Sequence, residues 1–114
     1  MRCLAACQTE LAIRMLDEIL LPSFEVEFLV ESKPLARRLH DSGLNVVFVD
    51  LKRTDTYLKA DLTPGTCVVV EDNGRKSLRK LLEAIWNAGG TLVYVLGVGT
   101  SHTRKREEEL KAQF

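Results

Sequence analysis

Five short apolar runs alternate along this chain with segments of helical periodicity, and that alternation restricts the fold more than any other feature. The runs are RCLAAC (2–7), EVEFLVE (25–31), NVVFVD (45–50), TCVVVED (66–72) and TLVYVLGV (91–98). They are rich in β-branched residues and almost wholly apolar, which predicts strands covered on both faces. Between the first two, TELAIRMLDEIL (9–20) sets Leu11, Met15 and Ile19 on one helical face, joined by Leu16 and Leu20. Thr9 is placed to cap that helix and Pro22 to stop it. Ser32 caps a second helix through PLARRLHDSG, with Pro34 in its first turn and Gly43 at its end. TDTYLKAD (54–61) is a short helix with Thr54 or Asp55 near its start. GRKSLRKLLEAIWNAGG (74–90) is the clearest helix, with Leu78, Leu81, Leu82 and Ile85 facing a core and Gly89-Gly90 closing it. SHTRKREEELKAQF (101–114) begins one more helix, without a C-terminal cap.

Strand and helix in strict alternation mean βαβ units, parallel pairing and right-handed crossovers. The expectation is a five-stranded parallel Rossmann-like sheet, order 3-2-1-4-5, in an α/β/α sandwich. Residues 1–99 would form that domain. Residues 100–114 would be a C-terminal helix, a frayed tail or a connector to a further region of a longer parent protein.

A length of 114 residues suits one domain with a real core. Sixteen acidic and sixteen basic residues cancel, so net charge gives no argument for nucleic acid or a membrane surface. No apolar run approaches the ~20 residues of a membrane span. The N-terminal apolar stretch is interrupted by Gln8, Thr9 and Glu10 and does not read as a signal peptide. Cys3, Cys7 and Cys67 are an odd set, two of them in the first strand. They read as buried free thiols in a reducing, cytoplasmic setting. Their spacing does not converge metal ligands, and His40 and His102 lie far off in sequence.

The join between the first strand and first helix is where an α/β nucleotide-binding protein carries its glycine loop. In the dinucleotide fingerprint the first glycine permits the tight turn, the second admits the pyrophosphate, and the third lets helix and strand pack closely. Here the frame falls on Cys7-Gln8-Thr9-Glu10-Leu11-Ala12, with Cys7, Thr9 and Ala12 in the glycine places. Glu31 follows 19 residues after Ala12, at the end of the second strand, where an acidic residue takes ribose hydroxyls. Spacing fits and chemistry does not. Ala12 is an accepted third position. Cys7 penalises a turn that needs positive φ. Thr9 fills the place where a pyrophosphate would meet the backbone, and Glu10 adds negative charge in the first helical turn. Against this, the helix N-terminus still offers N–H groups and the Thr9 hydroxyl.

Glu31, Asp50 and the pair Glu71-Asp72 end predicted parallel strands, the ligand edge of an open α/β sheet. Each could receive a sugar hydroxyl or base amino group, and each could equally be a solvated acid. Asp72, with Asn73, could instead cap the following helix. No Gly-x-Ser-x-Gly elbow or P-loop occurs, so no catalytic residues are assigned. Basic residues at Arg37, Arg38, Lys52 and Arg53, and at Arg75, Lys76, Arg79 and Lys80, read as solvated helix surface.

Taken together, the element order, the SGLNVVFVD third strand, the short TDTYLKAD helix and the VVVED strand resemble the N-terminal lobe of RCK domains. These are NAD-binding regulatory domains of potassium channels and transporters, and the likeness covers residues 3 to 98. Similar domains precede DHH-type phosphoesterases of the exopolyphosphatase-related group. The resemblance implies a Rossmann-like fold, a regulatory rather than catalytic role, NAD or another adenine nucleotide as ligand, and a homodimer. It places Glu31 at ribose, Asp50 near adenosine, and the glycine loop at Cys7, Thr9 and Ala12. The alternative it leaves open is the accessory lobe of a phosphoesterase or a small NAD-dependent oxidoreductase fragment.

Overall fold

A computed structural model describes residues 2–20, 23–72 and 77–97. Pro22, Asn73, the start of the fourth predicted helix and the predicted C-terminal helix lie outside the described residues.

The chain runs β1 (Arg2–Cys7), α1 (Glu10–Leu20), β2 (Glu25–Val30), α2 (Lys33–Asp41), β3 (Val46–Phe48), α3 (Thr54–Lys59), β4 (Cys67–Asp72), α4 (Leu78–Asn87) and β5 (Leu92–Gly97). The five strands form one parallel sheet in the order β3-β2-β1-β4-β5. This is the predicted Rossmann-like architecture.

Two cores lie on opposite faces of the sheet. Cys3, Ala5 and Cys7 of β1 point to one face with Phe28, Val30 and Val69, beneath Ile13 and Leu16 of α1 and Leu35 and Leu39 of α2. Leu4 and Ala6 point to the other, with Leu29, Val68 and Val70, beneath Tyr57, Leu81 and Ile85. The small residues on the α1 face of β1 let α1 lie close to the strand. Ser32 caps α2 as expected, its Oγ accepting from Leu35 N at 3.3 Å. Gly43 closes that helix at φ +88°, a conformation open to glycine at little cost.

Three expectations need correction. On α1, the residues that enter the core are Ala12, Ile13 and Leu16, while Leu11, Met15 and Ile19 are 59%, 37% and 67% exposed. Two apolar stripes run side by side on this helix, and close approach to β1 selects the one containing the small Ala12. Coverage on both faces holds for β1 and β4 but not at the edges, where Phe48 of β3 and Tyr94 of β5 stand exposed. Strand pairing in β3 is also short, Val46–Phe48, so Asp50 lies beyond it.

Candidate functional site

The β1–β4 register decides what stands behind the loop. Ala6 pairs with Val70. Along β4, Val68 and Val70 face the α3/α4 core and Val69 faces the α1 core. The next side chain in that alternation, Glu71, therefore points to the α1 face beside the end of β1. It is 2% exposed.

Its Oε1 accepts three hydrogen bonds, from Gln8 N at 3.2 Å, Thr9 N at 3.0 Å and Thr9 Oγ1 at 2.9 Å. Those two backbone N–H groups precede the first turn of α1, where a helix presents its positive end. Glu71 Oε2 is buried and has no hydrogen-bond partner among the described residues. Thr9 serves the helix as well, its Oγ1 accepting from Ala12 N at 3.3 Å, so the expected cap is present. The turn itself is made without positive φ at Cys7, since outside glycine that conformation occurs among the described residues only at Asp61. The anticipated penalty on a side chain at the first glycine place does not arise.

The other sequence-nominated residues divide between separate places. Cys7, Gln8 and Glu31 line a cleft of about 180 Å³ together with Val30, Ser32 and Leu35, between the ends of β1 and β2. Glu31 Oε2 accepts from Leu51 N at 3.1 Å. Leu51 O in turn accepts from the buried Tyr57 hydroxyl at 2.5 Å. Asp50 is not in that cleft. Its Oδ1 accepts from Lys52 N at 3.0 Å and its carbonyl from Thr56 Oγ1 at 2.6 Å. It lines a different cavity, of about 410 Å³, with Leu29, Val47, Val49 and Arg53 under α3. Glu10 pairs with Arg14 at 3.1 Å and Arg38 at 3.5 Å, on the α2 side of α1. Ala12 is fully buried against the sheet, which is the packing reason for a small residue at the third glycine place. Asp72 is buried at the end of β4.

Electrostatics at the loop oppose thiolate chemistry. Burial, then the neighbouring Glu71 and Cys3, push the Cys7 thiol far above its ordinary range. Burial, with Cys67 beside it, pushes Cys3 up to about 12. Among the described residues no three His, Cys, Asp or Glu side chains converge as metal ligands, and no helix is long and apolar enough to cross a membrane.

No protein-family model matches the chain, and no curated protein matches it. Among solved structures, the NAD(P)-binding domain of an exopolyphosphatase-related protein from Archaeoglobus fulgidus superposes with a TM-score of 0.54. The likeness spans 97% of this chain and 96% of that one, at 16% sequence identity. The two share the Rossmann-like fold. At that identity the likeness carries the fold and leaves the ligand to be argued from this chain's own residues.

The inward role of Glu71 is what reading the sequence missed. The signal was there: an acid directly after the three valines of a central strand, with the parity that sends it toward α1.

Proposed function

We propose that this chain is a non-catalytic, regulatory-type Rossmann-like binding module, in which the place of a dinucleotide's pyrophosphate is taken by the chain's own Glu71. The observation that supports it is the trio of donors gathered on Glu71 Oε1. A pyrophosphate in the ordinary pose needs the N–H groups that this oxygen already holds, and it would bring its own charge against the carboxylate. What the fold leaves open at this edge is the small cleft beside Glu31 and Ser32, with room for a ribose-sized group. An adenine nucleotide would then be held weakly, by its ribose at Glu31, with its phosphates directed away from the loop. A second reading, an accessory lobe of a larger phosphoesterase-type protein, is favoured by the likeness to the exopolyphosphatase-related domain.

Competitive titration of the purified chain with adenosine, AMP, ATP and NAD tests the first reading. A module that cannot use the pyrophosphate binds NAD within about threefold of adenosine, a difference under ~1 kcal/mol, and Glu31→Ala abolishes both. NAD binding tighter than adenosine by about a hundredfold or more would mean that the phosphates reach the loop, and would overturn it.

A further inference from the structure

The three free cysteines are not equivalent in the sheet. Cys3 of β1 and Cys67 of β4 are register partners on adjacent parallel strands. Both side chains enter the core on the α1 face, so they stand side by side. Neighbouring strands lie ~4.8 Å apart, inside the ~4.4–6.8 Å that separates the Cα atoms of a disulfide. Cys7 has no such neighbour. It pairs with Val30 on β2, and on the β4 side the register carries it to Glu71. Along β1 it stands four residues from Cys3, a separation of about 13 Å at the rise of a strand. The fold therefore leaves one pairing of the three thiols within bonding reach.

We propose that Cys3 and Cys67 are a site of reversible oxidation, at which hydrogen peroxide joins the two thiols in a disulfide between β1 and β4. Cys67, at 7% exposure against 0% for Cys3, takes the first step. Its thiolate attacks one peroxide oxygen, the O–O bond breaks, hydroxide leaves, and the sulfur becomes a sulfenic acid. The Cys3 thiolate then attacks that sulfur and displaces a second hydroxide. The two protons given up by the thiols turn the two hydroxides into water. Two thiols and one peroxide thus yield one disulfide and two waters, with sulfur oxidised and peroxide reduced. Burial raises both thiols, and each also acts on the other, Cys67 raising Cys3 further and Cys3 partly offsetting the rise at Cys67. The reduced pair therefore holds its protons and reacts slowly at neutral pH. The bond would lie near the start of the two strands whose other ends bring Thr9 and Glu71 together. It would also enclose the chain from residue 3 to residue 67, a long loop whose closure restricts the unfolded state.

The test uses the full chain, folded, in millimolar hydrogen peroxide at mildly alkaline pH, followed by alkylation in denaturant and mass spectrometry. Two of the three thiols should escape alkylation, with the loss of two hydrogen atoms from the chain, and a digest should contain a linked Cys3–Cys67 peptide. Cys7 should remain alkylatable. Dithiothreitol should return all three thiols. The oxidised chain, checked for fold by circular dichroism, should melt about 10 °C higher than the reduced one, as closure of a long loop requires. Cys67→Ser should form no intramolecular disulfide and gain no melting temperature from peroxide. Three thiols that stay alkylatable in the folded chain, a disulfide that includes Cys7, a bond that forms only in urea, or oxygen added to single cysteines without a linked peptide would each overturn the proposal.

Discussion

Replacing Glu71 by alanine removes the acceptor on which the first turn of α1 converges. Two backbone N–H groups, of Gln8 and Thr9, lose their partner at 3.2 and 3.0 Å, and the Thr9 hydroxyl loses one at 2.9 Å. Each part-buried amide left unpaired costs ~1–3 kcal/mol, toward the lower end where water can reach it. The hydroxyl can turn elsewhere and costs less. Set against this is the relief of a buried carboxylate whose Oε2 has no hydrogen-bond partner among the described residues. The loss outweighs the relief, and Glu71→Ala should destabilise the chain by about 2 kcal/mol, or ~8 °C in melting temperature. The same substitution opens the nest to external anions. Phosphate at ten times its dissociation constant would return ~1.4 kcal/mol by mass action. Salts of this kind stabilise most proteins somewhat by exclusion from their surfaces, so the diagnostic quantity is the extra response of the variant over wild type in parallel thermal melts. Glu71→Gln, which keeps an acceptor and removes the charge, should fall between the two. The reasoning is refuted if Glu71→Ala melts within ~0.5 kcal/mol of wild type, or if phosphate raises both proteins equally.

Thr9→Ala should cost ~1–2 kcal/mol in urea unfolding, because it removes both the cap on Ala12 N and a donor to Glu71; Thr9→Ser should cost under ~0.5 kcal/mol. Gly90→Ala should destabilise by ~1–3 kcal/mol, since an added Cβ would stand 2.6 Å from Ile85 Cγ2 and 3.1 Å from Ile85 O; an unchanged melting temperature would show that α4 shifts freely. The Cys3 thiol rises from 9.0 to about 12 on folding, so between those values the unfolded chain gives up a proton that the folded chain keeps. Stability should therefore fall as pH rises above about 9 and be indifferent to this group below it. The fall should be shallower in Cys3→Ala, and identical urea midpoints against pH in the two proteins would sink the argument.

Strand order was legible because it rests on a global property, five apolar runs separated by helical segments, which parallel pairing and crossover handedness convert into few topologies. Ser32, Gly43 and Thr9 were legible because capping is local chemistry. The outward face of α1 was not. Leu11, Met15 and Ile19 have the same helical spacing as a core stripe, and periodicity cannot say which of two adjacent stripes meets the sheet. What decided it was the smallness of Ala12, Cys3 and Ala5, a property of two elements at once. The separation of Asp50 from Glu31 was hidden for a similar reason. Both end strands, but β3 pairs for only three residues, so the chain leaves the edge before Asp50 and carries it to the α3 side.

On the proposed reading, Glu71 accounts for how a Rossmann-like fold can be kept without a pyrophosphate at its first strand–helix turn. In a sheet ordered 3-2-1-4-5 the strand beside β1 is β4, so a side chain near the end of β4 with α1-facing parity arrives at the strand–helix turn that would cradle a phosphate. An apolar residue there would leave the α1 N-terminal amides to water or to a ligand. A carboxylate there satisfies them from within, and the turn no longer needs glycine, because nothing external has to approach the backbone. The departures at Cys7, Thr9 and Glu10 then cease to be independent losses. Once the internal acid holds the amides, a thiol at the first glycine place packs in the core, a threonine at the second caps the helix and donates to the acid, and Glu10 is free to pair with Arg14 and Arg38. On this argument a glycine at position 9 would not by itself recreate a dinucleotide site; the acid opposite it must go as well.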